Sequence, residues 1–177
     1  MANALTRETL LAFLHQLGAS AHTPGRCFLT GGASALLEGW RRTTVDIDLH
    51  FEPEPAGVFE AIPGLKRELG VNVELAAPFH FVPVPAGWAD RSPVVGQFGR
   101  LEVLHFDFTG QALAKLARGF TRDLDDVQAM LARGLVTAAG LRRAFQEVQP
   151  QMLRYPALDA AALGRRVAAL ADRPDAS

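Results

Sequence analysis

Seven residues, Val45-Asp46-Ile47-Asp48-Leu49-His50-Phe51, alternate strictly between apolar and polar. A repeat of two is the repeat of a β-strand, so Val45, Ile47, Leu49 and Phe51 turn to one face while Asp46, Asp48 and His50 turn to the other. The apolar face needs a covering layer, and the acidic face has to stay near water or near a cation. This strand, expected over Thr44 to Phe51, fixes the plan of the rest. Val71 to Leu75 repeats it, with Val71, Val73 and Leu75 on one side and Asn72 and Glu74 on the other.

Helices are expected to cover that sheet. Leu10, Leu11, Leu14 and Leu17 recur at helical spacing behind a capping Thr6, with Gly18 as the stop. Arg26 to Thr30 reads as a short buried strand ending at two glycines, and a helix over 33–38 closes at Gly39. Val58 to Leu69 has a helical pattern interrupted at Pro63-Gly64. A hairpin turning at Gln97-Phe98-Gly99-Arg100 returns through Leu101 to Phe108. From Thr109 onward the pattern is helical: 110–118, 122–132, 138–148 and 160–171, with Pro174 to Ser177 frayed. The expected architecture is mixed α/β, a small twisted mixed sheet with helices over 1–108, followed by a C-terminal helical part over 109–177 packed on that core.

Composition narrows the function. With 18 Lys and Arg against 19 Asp and Glu, the formal net charge is -1, which argues against coating nucleic acid by bulk electrostatics. The cations are grouped instead, at Arg41-Arg42, at Lys115, Arg118 and Arg122, and at Arg142-Arg143 and Arg165-Arg166, the last two groups reading as solvated helix faces. No apolar run approaches the roughly 20 residues that span a bilayer. The first residues lack the basic-then-apolar pattern of a secretory signal, so the cytoplasm is the expected compartment. The single cysteine, Cys27, sits in an apolar run and reads as a buried structural thiol. His15, His22, His80 and His105 have no partners that the sequence identifies.

The chemistry gathers in Leu29-Thr30-Gly31-Gly32-Ala33-Ser34 and, after a spacer, Val45-Asp46-Ile47-Asp48-Leu49. Glycines after a strand let backbone amides approach an anion, and the helix that follows adds its N-terminal dipole. Ser34 is expected to offer a hydroxyl to phosphates. Two aspartates two apart on a strand share a face and suit magnesium, which takes oxygen ligands and shares them with substrate phosphates.

On these residues the chain resembles the nucleotidyltransferase superfamily. More narrowly, Arg42-Thr43-Thr44-Val45-Asp46-Ile47-Asp48-Leu49, with Leu113-Ala114-Lys115-Leu116-Ala117-Arg118 and Arg122-Asp123-Leu124-Asp125-Asp126-Val127, looks like the bacterial branch containing abortive-infection and toxin-antitoxin nucleotidyltransferases. The resemblance covers roughly residues 26–132. It implies transfer of a nucleotidyl group from a nucleoside triphosphate, with magnesium or manganese at Asp46 and Asp48. It also implies a third acidic residue on a neighbouring strand, which helps to hold the metal and accepts the proton of the attacking hydroxyl; Glu74 matches it best, with Asp107 and then Glu102 behind it. Lys115 is implied at the nucleotide phosphates, joined by Gly31, Gly32, Ser34, Arg42 and Arg118, with Asp123 and Asp126 serving the site from the adjoining helix. The acceptor implied is an RNA end, transfer RNA in particular, or a protein hydroxyl, and the partner a cognate antitoxin. A catalytically silent regulator that binds nucleotide or a partner protein is the rival reading.

Overall fold

The computed structural model describes residues 4–171; the expected frayed tail, Pro174 to Ser177, lies outside them. The chain falls into two compact units, Met1–Ala77 with Ser92–Phe106, and Pro78–Arg91 with Asp107–Ser177.

The first unit is built on a five-stranded mixed sheet in the order β3-β2-β1-β5-β4. Its strands are β1 (Gly25–Thr30), β2 (Asp46–Phe51), β3 (Asn72–Leu75), β4 (Val94–Phe98) and β5 (Leu101–His105). β2 runs antiparallel to β1 with Leu29 opposite Leu49 and Thr30 opposite Asp48. β3 runs parallel to β2 with Asn72 beside Asp46 and Glu74 beside Asp48. β5 is parallel to β1, and β4 is antiparallel to β5. The helices of this unit are α1 (Arg7–Ala19), α2 (Gly31–Glu38) and α3 (Val58–Leu69). Cys27, Leu29, Ile47, Leu49 and Val73 from the sheet and Leu10, Phe13, Leu14 and Leu17 from α1 share one apolar core. Burial pushes the Cys27 thiol far above its ordinary range, as expected of a structural rather than a reactive cysteine.

The mixed α/β architecture read from the sequence is the one found. Several boundaries differ for physical reasons. α1 ends at Ala19, past the expected stop at Gly18, and Gly18 sits where the helix meets the Phe98 backbone: a Cβ there would stand 2.2 Å from the Phe98 carbonyl oxygen. α3 is not interrupted at Pro63-Gly64. Pro63 is exposed, so the helical carbonyl it leaves without a donor can turn to water. α2 begins at Gly31 rather than Ala33, which puts both glycines in its first turn. Val45 and Leu75 lie at strand ends and are 54% exposed, so the apolar face of β2 starts at Ile47 and that of β3 ends at Val73.

The second unit holds α4 (Trp88–Arg91), α5 (Phe108–Arg118), α6 (Thr121–Ala132), α7 (Ala138–Val148) and α8 (Ala160–Ala168). The segment Pro78–Arg91 belongs here and not with the sheet, which departs from a single boundary at residue 108. Pro78, Pro83 and Pro85 deny it a regular ladder. It is held instead by the Tyr155 hydroxyl, which donates to the Phe79 carbonyl at 2.7 Å, and by Arg91, which meets Asp107 at 3.1 Å. The paired arginines of the last helices are more than solvated faces. Arg166 donates to the carbonyls of Leu116 and Ala117 at the end of α5, and Arg142 to that of Leu170. No helix among the described residues is long and apolar enough to cross a membrane.

Two glycines inside helices should respond in opposite directions. Gly18→Ala should cost about 1–3 kcal/mol despite alanine's better helix propensity, because the backbone it strikes cannot move aside cheaply. Gly64→Ala, with nothing within 4 Å of the new Cβ, should gain about 0.4–1 kcal/mol. Urea unfolding of the two variants checks both signs, with an unchanged m-value expected.

Candidate functional site

Strand register assembles the acidic face. Because β1 and β2 pair with Thr30 opposite Asp48, the glycines that follow Thr30 arrive beside the Asp48 carboxylate. A Cβ on Gly31, whose φ is +60°, would stand 3.0 Å from Asp48 Oδ2, and a Cβ on Gly32 would collide with Thr44 Oγ1 at 1.9 Å. Both positions therefore require glycine: the first for its backbone conformation and its acidic neighbour, the second for space alone. Asp46 and Asp48 are half-buried, on the side of β2 opposite Ile47 and Leu49.

Glu74, the register neighbour of Asp48, is on the same face. Between it and Asp46 stands Asn72, whose Nδ2 donates to Asp46 Oδ1 at 2.6 Å and to Glu74 Oε1 at 3.4 Å. The alternation of β3 already put Asn72 on this face; its bonds to Asp46 and Glu74 were not readable from the sequence. Asp107, the runner-up for the third acid, belongs to the other unit, where it caps α5 at Thr109 N and pairs with Arg91. His50 meets Glu52 at 3.2 Å. Arg42 is exposed in the loop between α2 and β2.

The donors suit a small hard cation. Asp48 offers a carboxylate oxygen hard against the turn where α2 begins, and magnesium characteristically takes one or two carboxylates and completes its shell with phosphate and water oxygens. Among the described residues no three His, Cys, Asp or Glu side chains are gathered into a group that would hold a metal alone.

Ser34 turns away from this surface. It is fully buried, its hydroxyl donating to the Leu29 carbonyl at 3.1 Å and lying 3.0 Å from His105 Nδ1. That corrects the expectation that it offers its hydroxyl to phosphates. His105 Nε2 lies 3.1 Å from Glu38 Oε1. Ser34 lies in the middle of α2, one turn before Glu38 at its end, and His105 ends β5, so this chain ties the helix that starts at the glycines to the sheet. Ser34 and His105 are 71 residues apart, which is why no local pattern announced their contact.

In the second unit, Lys115 and Arg118 on α5 meet Asp123 and Asp126 on α6. Lys115 Nζ lies 2.6 Å from Asp126 Oδ2 and 3.9 Å from Asp123 Oδ1, and Arg118 Nη2 lies 2.5 Å from the same Asp123 oxygen. Lys115, Asp123 and Asp126 are each at most 5% exposed, whereas half of the Arg118 side chain remains open. Asp123 Oδ2 is buried with no hydrogen-bond partner among the described residues. The two motifs joined by spacing in the sequence are thus joined in space as one ionic cluster.

A mixed sheet with two carboxylates on one strand, facing a glycine pair that opens a helix, defines a nucleotidyltransferase type of domain. The family model described as a nucleotidyltransferase of unknown function, DUF6036, matches residues 8–158, and the chain belongs to that family. No curated protein and no solved structure matches it.

The buried histidine gives the first unit a pH dependence. Desolvation holds the His105 pKa below its ordinary 6.5, against the opposing attraction of Glu38. The unfolded chain therefore binds a proton more readily than the folded one, so the contribution to stability is complete above pH 6.5 and is lost as pH falls through the lowered folded value. Thermal unfolding between pH 7.5 and 5 should show wild type losing more stability than His105→Gln. Equal slopes in the two proteins would remove His105 as the source.

Proposed function

We propose that the protein is a metal-dependent nucleotidyltransferase that moves a nucleotidyl group from a nucleoside triphosphate to an acceptor hydroxyl, on an RNA end or a protein. The observation that carries this is Asp48 Oδ2 set against Gly31, with Asp46 and Glu74 on the same face. Family membership supports the reaction class.

Asp46 and Asp48 would hold magnesium or manganese, which when bound neutralises charge on the phosphates and polarises the α-phosphorus. The Gly31 and Gly32 backbone lets the triphosphate come close to the N-terminus of α2. Arg42, at the start of the acidic segment, supplies a cation for the same ligand. The acceptor oxygen attacks the α-phosphorus and forms a new P–O ester bond. The α–β phosphoanhydride bond breaks, and pyrophosphate leaves with the electron pair. Glu74 accepts the proton lost by the attacking hydroxyl, directly or through water. For Lys115, Arg118, Asp123 and Asp126, the assignment to phosphate binding rests on the motif alone. The same motifs support a place in the abortive-infection and toxin-antitoxin branch, with a cognate antitoxin as partner and the cytoplasm as the compartment.

A second reading is a catalytically silent regulator that binds nucleotide or a partner. What favours it is the burial of Lys115 in ion pairs with Asp123 and Asp126.

The deciding experiment incubates the protein with each α-labelled triphosphate, magnesium or manganese, total RNA and a cell lysate. Label is expected in RNA or protein, with Asp46→Asn and Asp48→Asn each reducing transfer at least about a hundredfold, the order of loss when a group acting only in the transition state is removed. Triphosphate binding with no label in any acceptor would select the regulator. Unchanged transfer by both variants would remove the acidic face from the chemistry.

A further inference from the structure

The second unit contains a cleft of about 540 Å³ lined by His80, Phe81, Ala117, Arg118 and Arg154, with Tyr155 to Leu158 completing the wall. That volume is in the range of small-ligand sites. No carboxylate lines it, although the whole chain carries slightly more acids than bases. Cations outnumber acids in the sequence of this unit, while acids outnumber cations in the first.

The lining offers two kinds of contact. Phe81 is 49% exposed, a large apolar ring left open in a chain that buries most of its others. Tyr155 is fixed, because its hydroxyl is committed to the Phe79 carbonyl, so its ring is available as a rigid wall with no rotational freedom to lose. Arg154 is exposed, and half of the Arg118 side chain is open although one nitrogen meets Asp123. Planar apolar surface beside guanidinium groups, with acids excluded, matches a nucleobase carrying a phosphate. Bases stack on aromatic side chains without regard to sequence, and arginine forks match phosphate oxygens.

We propose that this cleft binds a nucleotide of a single-stranded nucleic acid. Binding at the cleft does not rest on the transferase reading above. The same chemistry would suit a free nucleotide, and competition separates the two sources. A polynucleotide is favoured because two arginines, Arg118 and Arg154, line the same cleft beside two aromatic rings, which suits successive phosphates of a strand with bases stacked beside them.

The test uses the full chain without triphosphate or divalent metal and a fluorescein-labelled single-stranded RNA oligonucleotide, with anisotropy read across salt concentrations. Phe81→Ala and Arg154→Ala should each weaken binding about tenfold, and Arg154→Ala should also lower the slope of log affinity against log salt by somewhat less than one unit. Unlabelled RNA should compete far better than a nucleoside monophosphate. Melting temperatures of the variants should equal that of wild type, and a Phe81→Trp variant, which keeps a stacking surface, should restore binding. Failure of the wild type to bind RNA, wild-type affinity in both variants, or equal competition by the monophosphate would each overturn the proposal. Loss of label transfer with RNA binding intact would instead count against the transferase reading and leave the cleft assignment standing.

Discussion

The pairing of β1 with β2 is the constraint on which the site depends. With Leu29 opposite Leu49 and Thr30 opposite Asp48, one register buries the apolar half of β2 and brings the acidic half against the glycines that open α2. A slip of one residue would turn Asp46, Asp48 and His50 into the core and expose Ile47, Leu49 and Phe51. Uncompensated burial of two carboxylates costs more than the strand can recover, so folding and site assembly select the same register. The alternation that makes the strand also makes the site.

The second support lies underneath. The Leu29 carbonyl receives both the Ser34 hydroxyl and the Phe106 backbone amide, at 3.1 and 2.7 Å. His105 links Ser34 to Glu38 across the last turn of α2. A helix of eight residues has little stability of its own. Its position is set by this buried polar chain together with Ala33, Ala35 and Leu36, all buried. The glycine turn is thereby presented by a fixed element, which is what close approach of a phosphate to backbone amides requires.

Much of this was legible in the sequence because it is local. Strict alternation gave β2 and β3, Gly39 and Gly119 gave the C-terminal ends of α2 and α5, and the acidic face followed from the period of two. What escaped was set by contacts between distant segments. Gly18 reads as a helix stop, but it is required because it packs against the Phe98 backbone, and the helix ends one residue later. Ser34 reads as a ligand for phosphate, but its hydroxyl is claimed from inside by Leu29 and His105. Asn72 was on the polar face of β3 by alternation, but its bonds to Asp46 and Glu74 follow only from β3 lying beside β2. The segment Pro78–Arg91 carries no periodic signal, and its membership of the helical unit depends on Tyr155 and Asp107 far along the chain.

The account stands or falls on whether a metal and a triphosphate bind together on the acidic face of β2. Manganese, which replaces magnesium among oxygen ligands, reports this directly through the electron paramagnetic resonance signal of the free ion. Titrating manganese into the protein with and without a non-hydrolysable triphosphate should show tight uptake of the ion only when the triphosphate and the protein are both present. That uptake should be lost in Asp48→Asn with the melting temperature in the absence of ligand retained. Uptake that is the same in wild type and Asp48→Asn would contradict the account.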